Sequence, residues 1–423
     1  MCSLALMLKD CFSVSGSDRA RSKITERLEK NGITVFYEHR AENVEGADAV
    51  VYTPAVAPDN PELLAAKNKG IPIYLRAEIL GLVMKNYEKR IGFSGSHGKS
   101  TSTAMAAKVF DMAGSDPTVV CGADIPEFGG TFKLGEGDGF IFEADEYKDA
   151  FLNFYPTTAV VLNVELDHTD YFHDLGALCR SFSAYAKKAE KVVYNADSDG
   201  AVKAASEIPG ALSYGIYKPA LYKAENIGFD GMFPFADVYR GGEKVSHVRL
   251  SVPGLHNIYN ALACTAAAEA NGISPEDAAK GISAFHGIDR RFQKTGTLNG
   301  AEVYIDYAHH PTEIKATLAA AFLGKKPVRA VFEPHTFSRT AALFEDFVRA
   351  FDGCREVVFT DIYAAREVNS FGVSSSQLAD AAERGIYIPS YQGAAEYLRR
   401  TVKDEEVLII FGAGTINRLA EML

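Results

Sequence analysis

A lysine and a hydroxyl residue set directly behind closely spaced glycines suit the holding of phosphate oxygens, and residues 90–103, RIGFSGSHGKSTST, carry that combination. Gly95 and Gly98 free backbone N–H groups, and the helical pattern that opens at Lys99 aims its positive end at the same place. Gly95, Ser96, His97, Gly98, Lys99, Ser100 and Thr101 are therefore candidates to cradle a nucleotide triphosphate. Lys99 would reach the outer phosphates and the Ser100 hydroxyl would ligate Mg²⁺. Only Ser96 and His97 separate the glycines, so the loop is a shortened form of the common phosphate-binding motif. A glycine-rich strand-to-helix turn without chemistry has the same appearance. A lysine in such a loop is expected to support no core, so that removing it leaves the fold intact.

A metal against those phosphates needs oxygen or imidazole ligands close by. Residues 139–145, GFIFEAD, form an apolar run ending in carboxylates, and the next run, 158–164, leads into Glu165, Asp167 and His168. Read as adjacent strands, the two runs set Glu143 and His168 at C-terminal strand ends beside the loop, where ligands sit in open α/β sheets. Ser100, Glu143 and His168 are thus the candidate metal ligands. Taken singly, Glu143 reads equally as a solvated strand end and His168 as a hydrogen-bonding loop histidine; the phosphate loop tips the balance toward a metal.

Further along, Asn257 and Asn260 fall at i and i+3 on one face near the start of an alanine-rich helix. They could read the edge of a base, or serve as an N-cap and its neighbour. Arg290-Arg291-Phe292, then Asp306-Tyr307-Ala308-His309-His310-Pro311, then Glu333-Pro334-His335-Thr336-Phe337-Ser338-Arg339 crowd basic and imidazole groups at strand ends, an arrangement suited to an anion pocket. An arginine pair is by default a solvated or salt-bridged surface.

The elements that must position these groups alternate. In residues 1–88, helical signals at 3–10, 19–30 and 61–69 interleave with extended runs at 12–15, 33–36, 49–52 and 71–74, which implies a parallel sheet flanked by helices. A second block, 89–287, holds the phosphate loop, a helix stopping at Gly114, a strand-rich insertion over 194–252 in which no chemistry is visible, and the alanine-rich helix. A third block, 288–423, alternates again: strands at 302–305, 328–332, 357–360 and 407–411, helices at 312–323 and 340–351, and Gly412-Ala413-Gly414 as a tight turn into a final helix.

With 423 residues, two or three hydrophobic cores are expected. The net charge of -11 argues against a general nucleic-acid or anionic-membrane binder, although an anionic small substrate can still be met by local basic groups. The 6 cysteines are scattered without a CxxC pair, which reads as reduced thiols in the cytosol, and no run is long enough to cross a membrane. A cytoplasmic location is the expectation.

Taken in order, GSDRA, the segment 53–62, GSHGKSTST, EADE, NVELDH, HNIYNALA, RRF, DYAHHPTE and EPHTFSRT resemble the Mur ligase family over essentially the whole chain. The resemblance implies an α/β protein of three domains: a Rossmann-like UDP-sugar-binding domain (1–88), a central P-loop ATPase (89–287) and a Rossmann-like C-terminal ligase domain (288–423). It implies an enzyme of peptidoglycan precursor synthesis, with ATP and Mg²⁺ as cofactors. ATP would phosphorylate the lactyl carboxylate of UDP-N-acetylmuramate, and L-alanine would displace phosphate from the acyl phosphate. By the same resemblance Lys99, His168, Arg291 and His309 are catalytic. Asn257, Asn260, Arg291 and Asp306 join the loop in holding ATP, and His309, His310, His335 and Arg339 face the sugar substrate.

This sequence departs from the family pattern in having Ser96 and Ser100 where threonines are common, which keeps both hydroxyls, and Thr336 where some relatives carry arginine. It also opens on a helix, where relatives open on a strand and a glycine-rich turn against the UDP diphosphate. The N-terminal sheet is therefore expected to lack its first strand, the apolar face of Leu4, Leu6 and Leu8 to lose much of its packing, and the sugar nucleotide to bind weakly. Two other readings compete: a related ligase that adds a recycled peptide to UDP-N-acetylmuramate, and a truncated nucleotide-binding protein without ligase activity. The sequence leaves the oligomeric state open.

Overall fold

The computed structural model describes residues 1–166 and 171–423; His168 lies outside the described residues. Its first unit contains α1 (Cys2–Leu8), β1 (Ser15–Ser17), α2 (Lys23–Lys30), β2 (Thr34–Phe36), β3 (Val50–Tyr52), α3 (Pro61–Lys69), β4 (Ile73–Leu75) and α4 (Arg76–Met84). β1 pairs in parallel with β2, and β3 with β4, as two separate pairs. These strands thus do not join in one continuous sheet. The loss of packing does not follow: Leu4 and Leu6 are buried, and Leu6, Ile33, Leu80 and Met84 share a core with Phe140, Phe142 and Phe151 of the next unit. The helix expected from residue 19 starts at Lys23, because Ser22 and Thr25 form a reciprocal capping box that fixes its N-terminus.

The second unit runs through β5 (Lys89–Ser94), α5 (Lys99–Met112), β6 (Thr118–Ile125), β7 (Gly130–Lys133), β8 (Gly139–Glu143), β9 (Thr158–Val161), α6 (Leu175–Ala186), β10 (Lys191–Asn195), α7 (Asp199–Ala205), β11 (Leu212–Gly215), β12 (Tyr222–Asp230), β13 (Phe233–Arg240), β14 (Glu243–Arg249), α8 (His256–Ala270) and α9 (Pro275–Ser283). Among the described residues, 10 strands form one sheet in the order β14-β13-β12-β11-β10-β9-β5-β8-β6-β7. The strands of residues 194–252 therefore extend this sheet as its edge and are not a separate insertion. β5 lies between β8 and β9, so the strands leading to Glu143 and toward His168 flank the phosphate-loop strand and are not neighbours. Ile91 and Phe93 of β5 are wholly buried, as in a parallel strand covered on both faces. α5, α8 and α9 pack one face with a core rich in alanine, and α6 and α7 cover the other.

The third unit comprises β15 (Gln293–Leu298), β16 (Ala301–Asp306), α10 (Pro311–Leu323), β17 (Val328–Phe332), α11 (Phe337–Ala342), α12 (Phe344–Ala350), β18 (Glu356–Phe359), α13 (Ser375–Ala381), β19 (Gly385–Tyr387), α14 (Tyr391–Thr401), β20 (Val407–Phe411) and α15 (Asn417–Glu421). Its strands order as β15-β16-β20-β17-β18-β19, with β15 alone antiparallel to its neighbour. The single helix expected over 340–351 is two helices, broken at Leu343, whose φ of -116° leaves the helical region. Arg329 of β17 is buried in the sheet because Glu356 and Glu406 flank its guanidinium, with Nε 2.9 Å from Glu406.

The central sheet tolerates no side chain at Gly92: a Cβ there would stand 2.1 Å from the Tyr185 hydroxyl and 2.6 Å from the Phe142 ring. Gly92→Ala is expected to destabilise the protein by about 2 kcal/mol through overpacking. The urea unfolding midpoint checks this, and an unchanged midpoint would refute it.

Candidate active site

Strand β5 ends in the phosphate loop, and the loop is anchored before any ligand arrives. Ser96 N–H donates to Asn163 O at 3.1 Å, His97 N–H donates to the Asn163 side-chain oxygen at 2.8 Å, and the Ser96 hydroxyl reaches Glu165 O at 2.8 Å. Gly98 has φ +84°, and a Cβ there would meet Asn260 Oδ1 at 2.9 Å, so both the turn and the close approach of α8 require glycine. α5 then starts at Lys99 with its N-terminus at the loop.

Lys99 is not the free loop lysine that the sequence suggests. Its side chain is only 13% exposed, and Nζ donates to Gly95 O at 2.6 Å and to Glu146 at 2.9 Å. Burial works against its charge, but Glu146, Asp145 and Glu143 together hold it protonated more firmly than an ordinary lysine. Burial also pushes the Glu146 carboxyl up, with Lys99 opposing that shift. The pair thus supports the local packing, because removing either partner takes a compensating charge from a buried group.

One residue on, the Ser100 hydroxyl donates to Glu143 Oε2 at 2.8 Å, and Gly122 N–H donates to the same oxygen at 2.8 Å. A hydroxyl and a carboxylate at the mouth of a phosphate loop fit Mg²⁺, which takes one or two protein oxygens and completes its shell with water and substrate phosphates. No cluster of three or more His, Cys, Asp or Glu occurs among the described residues, so they offer no all-protein metal cage.

A cavity of about 630 Å³ lies between the second and third units. His97, Gly98, Thr101, Asn257, Asn260, Arg291 and Asp306 line it, which brings residues singled out from the loop, α8 and the third unit around one space. Asn257 and Asn260 do not cap α8, whose N-cap is Leu255. Their amides are turned on each other and on the loop: Asn260 Nδ2 donates to Asn257 Oδ1 at 2.8 Å, Ser102 Oγ donates to Asn260 Oδ1 at 3.0 Å, and Asn257 Nδ2 donates to Pro253 O at 2.7 Å. Asp306, at the end of β16, accepts from Phe292 N, Ala308 N and Thr317 Oγ1 at 2.9, 2.7 and 3.1 Å. Burial raises its pKa to about 6 despite Arg291 and these donors. Arg291 is no surface arginine. It lies over the Tyr307 ring at 5.0 Å and 3.6 Å from Glu313, between Arg290 and Phe292, whose φ values of +61° and +46° force a sharp turn there.

Gly95, Ser96, Lys99, Ser100 and Glu143 of the second unit do not line the cavity, nor do His309, His310, His335 and Arg339, which gather on the third unit. His309 lies 5.7 Å, ring to ring, from His335, which stacks on Tyr363 at 5.4 Å and approaches Arg339 Nη1 at 3.4 Å. Burial lowers the His309 pKa to about 4, so its ring is neutral. His310 turns the other way, 5.4 Å from the His97 ring.

Several site residues escaped sequence reading. Glu146, Glu165 and Glu313 sit inside EADE, NVELDH and DYAHHPTE, and only their crowding beside a lysine or histidine hinted at pairing. Asn195 and Asp197 line the cavity from the stretch that seemed to carry no chemistry. Asp197 accepts from Ile216 N, Lys218 N and the Tyr259 hydroxyl at 2.7, 2.7 and 2.9 Å, contacts between segments that nothing in their spacing signals.

A phosphate loop with its lysine and a hydroxyl–carboxylate pair, facing a second α/β unit that presents an arginine, a buried aspartate and histidines, has the form of a nucleotide site between two α/β units. Residues 1–88 match the Mur ligase family, catalytic domain; residues 93–268 match the Mur ligase middle domain; residues 290–414 match the Mur ligase, glutamate ligase domain. The chain belongs to the Mur ligase family. It is 41% identical to the UDP-N-acetylmuramate–L-alanine ligase of Caldanaerobacter subterraneus over 98% of this chain and 93% of that protein. It is 40% identical to the enzyme of the same name from Acetivibrio thermocellus over 99% and 91%. The solved UDP-N-acetylmuramate-alanine ligase of Thermotoga maritima superposes with a TM-score of 0.84 at 26% identity, covering 100% of this chain and 95% of that one.

His97 carries a further consequence. Burial opposes its charge, but Glu165 and Glu313 raise its pKa from 6.5 to about 9. The stabilisation from this pairing is complete below the unfolded pKa of 6.5 and is lost as pH rises through about 9. The difference in thermal midpoint between wild type and His97→Asn, measured across that range, is expected to shrink steadily as pH rises; a constant difference would refute the pairing.

Proposed function

We propose that this chain is an ATP-dependent ligase that joins L-alanine to the lactyl carboxylate of UDP-N-acetylmuramate. Its similarity to ligases of that name over nearly the whole chain carries the reading. The convergence of His97, Gly98 and Thr101 of the phosphate loop with Arg291 and Asp306 on the space between the second and third units supports it. In this reading residues 1–88 hold the UDP-sugar, 89–287 the ATP and 288–423 complete the site. A cytoplasmic location fits the 6 free cysteines; no helix among the described residues is long and apolar enough to cross a membrane.

The carboxylate oxygen attacks the γ-phosphorus of ATP and ADP departs; the amine of L-alanine then attacks the acyl carbon, and phosphate leaves with the former carboxylate oxygen. Charge spreads over the transferring phosphoryl oxygens in the first step, so preorganised cations there lower the barrier. Lys99 and Arg291 supply them, the first from the loop and the second across the cavity. Thr101 and the loop N–H groups position the phosphates, Asp306 lies at the ribose and phosphate side, and Asn257 and Asn260 give the base an amide edge once their mutual bond opens. Ser100 and Glu143, together with His168, would hold Mg²⁺, which supplies charge neutralisation and alignment of the phosphates. His309, His310, His335 and Arg339 face the sugar substrate, and the neutral His309 imidazole offers a hydrogen-bond acceptor to the incoming amine.

Phosphate release with ATP and UDP-N-acetylmuramate is expected to depend on added L-alanine and to exceed that with glycine, L-serine or a tripeptide. Release that ignores L-alanine sinks the reading, and preference for the tripeptide assigns the recycled-peptide reaction instead. Lys99→Ala is expected to lose about 3 kcal/mol of transition-state stabilisation, roughly a hundredfold in turnover. It should also lower the thermal midpoint, since the buried Glu146 carboxyl loses a compensating cation; wild-type turnover in this variant would reduce the loop to a structural turn.

A further inference from the structure

Glu313, in the first turn of α10, does two jobs with two oxygens. Oε2 accepts from the backbone N–H groups of His309 and His310 at 3.1 and 3.4 Å, closing the helix N-terminus, and lies 3.5 Å from His309 Nδ1. Oε1 faces cations: His97 Nδ1 of the phosphate loop at 3.3 Å and Arg291 Nη1 at 3.6 Å. The side chain is 13% exposed and its carboxyl is held well below the usual range. Burial opposes that shift, and His309, His97 and Arg291 together sustain it.

We propose that Glu313 is a positioning residue that ties the phosphate loop of the second unit to the acceptor side of the third. A single buried carboxylate fixes where Arg291 points, how the His309 loop is held and where His97 sits. His97 is gripped from the other side by Glu165 Oε2 at 3.5 Å, in the same segment that anchors Ser96 and His97 through Asn163. The phosphate loop and the His309 loop are thereby held in one frame, so the γ-phosphoryl group and its acceptor meet in a fixed geometry. Glu313 lines the cavity beside Arg291 and His97, and it acts on the reacting groups through Arg291, His97 and His309.

The split between the two oxygens gives a selective test. In Glu313→Gln the amide oxygen can keep the Oε2 bonds that cap α10, while the NH₂ group in place of Oε1 confronts two cations with a donor. The proposal rests on the ligase reading, so wild-type phosphate release dependent on both UDP-N-acetylmuramate and L-alanine is the control. Its absence sinks that reading, whereas results confined to the variants bear on Glu313 alone. Expected for Glu313→Gln is a fall in turnover of about tenfold to a hundredfold with the KM for ATP little changed, the mark of lost positioning in the transition state. His97→Asn should lose part of this, and the double variant should be no slower than Glu313→Gln, because the two residues act through one contact. Losses that multiply in the double variant, or wild-type turnover in Glu313→Gln, would overturn the proposal. If Glu313→Gln does not fold, His97→Asn decides alone: unchanged turnover overturns the coupling, and reduced turnover at unchanged KM for ATP supports it.

Discussion

An ammonium group held almost dry at the end of a central strand is the constraint on which the rest of the site depends. Lys99 keeps its charge there because Glu146 lies 2.9 Å away, and Lys99 in turn opposes the upward shift that burial imposes on this carboxyl, which is 1% exposed. The register of the sheet makes the pair: β5 carries the loop, β8 on one side delivers the EADE segment, and β9 on the other delivers Asn163 and Glu165. Each neighbour thus contributes a different function, one charge compensation and the other anchorage of the loop backbone. The apolar core beneath, with Ile91, Phe93, Ile141 and Val160 wholly buried, keeps these strand ends level with one another.

The third unit meets this arrangement with opposite logic. Its sheet also ends in charged residues, but Asp306, Arg291 and Glu313 are paired within the unit or to His97, so little charge stands unsatisfied at the boundary. Charged groups already held by their partners need little reorientation when charge develops on phosphoryl oxygens, and fixed groups of this kind lower the barrier to such a transfer.

What the sequence made legible follows from how local each signal is. Strands such as β17 and β20 and helix α3 were placed to the residue, because unbroken apolar runs, a proline start and a glycine stop are local features. The phosphate loop was legible for the same reason. Strand order was not: β8 and β9 look adjacent in sequence, and their separation by β5 is a property of the whole sheet. The break at Leu343 was hidden, since residues 337–350 keep helical composition across it. Glu313 and Asp197 were missed because their partners lie in segments remote in sequence, whereas the motif residues Arg291 and Asp306 were found through resemblance, with geometry added only by the fold.

The position of β20 in the third sheet bears on the order in which the molecule can be assembled during synthesis. β20 follows the other five strands in sequence yet lies between β16 and β17, pairing Glu302 with Val407 on one side and Val328 with Val407 on the other. Until it emerges from the ribosome, the β15–β16 hairpin and the β17–β18–β19 layer have no shared strand, and their buried faces wait unpaired. The second unit has no such dependence, since all its strands precede residue 250. A nascent chain therefore carries a finished nucleotide-binding fold beside an unfinished partner, and the half-formed sheet is the stretch that a growing chain must keep from sticking to its neighbours.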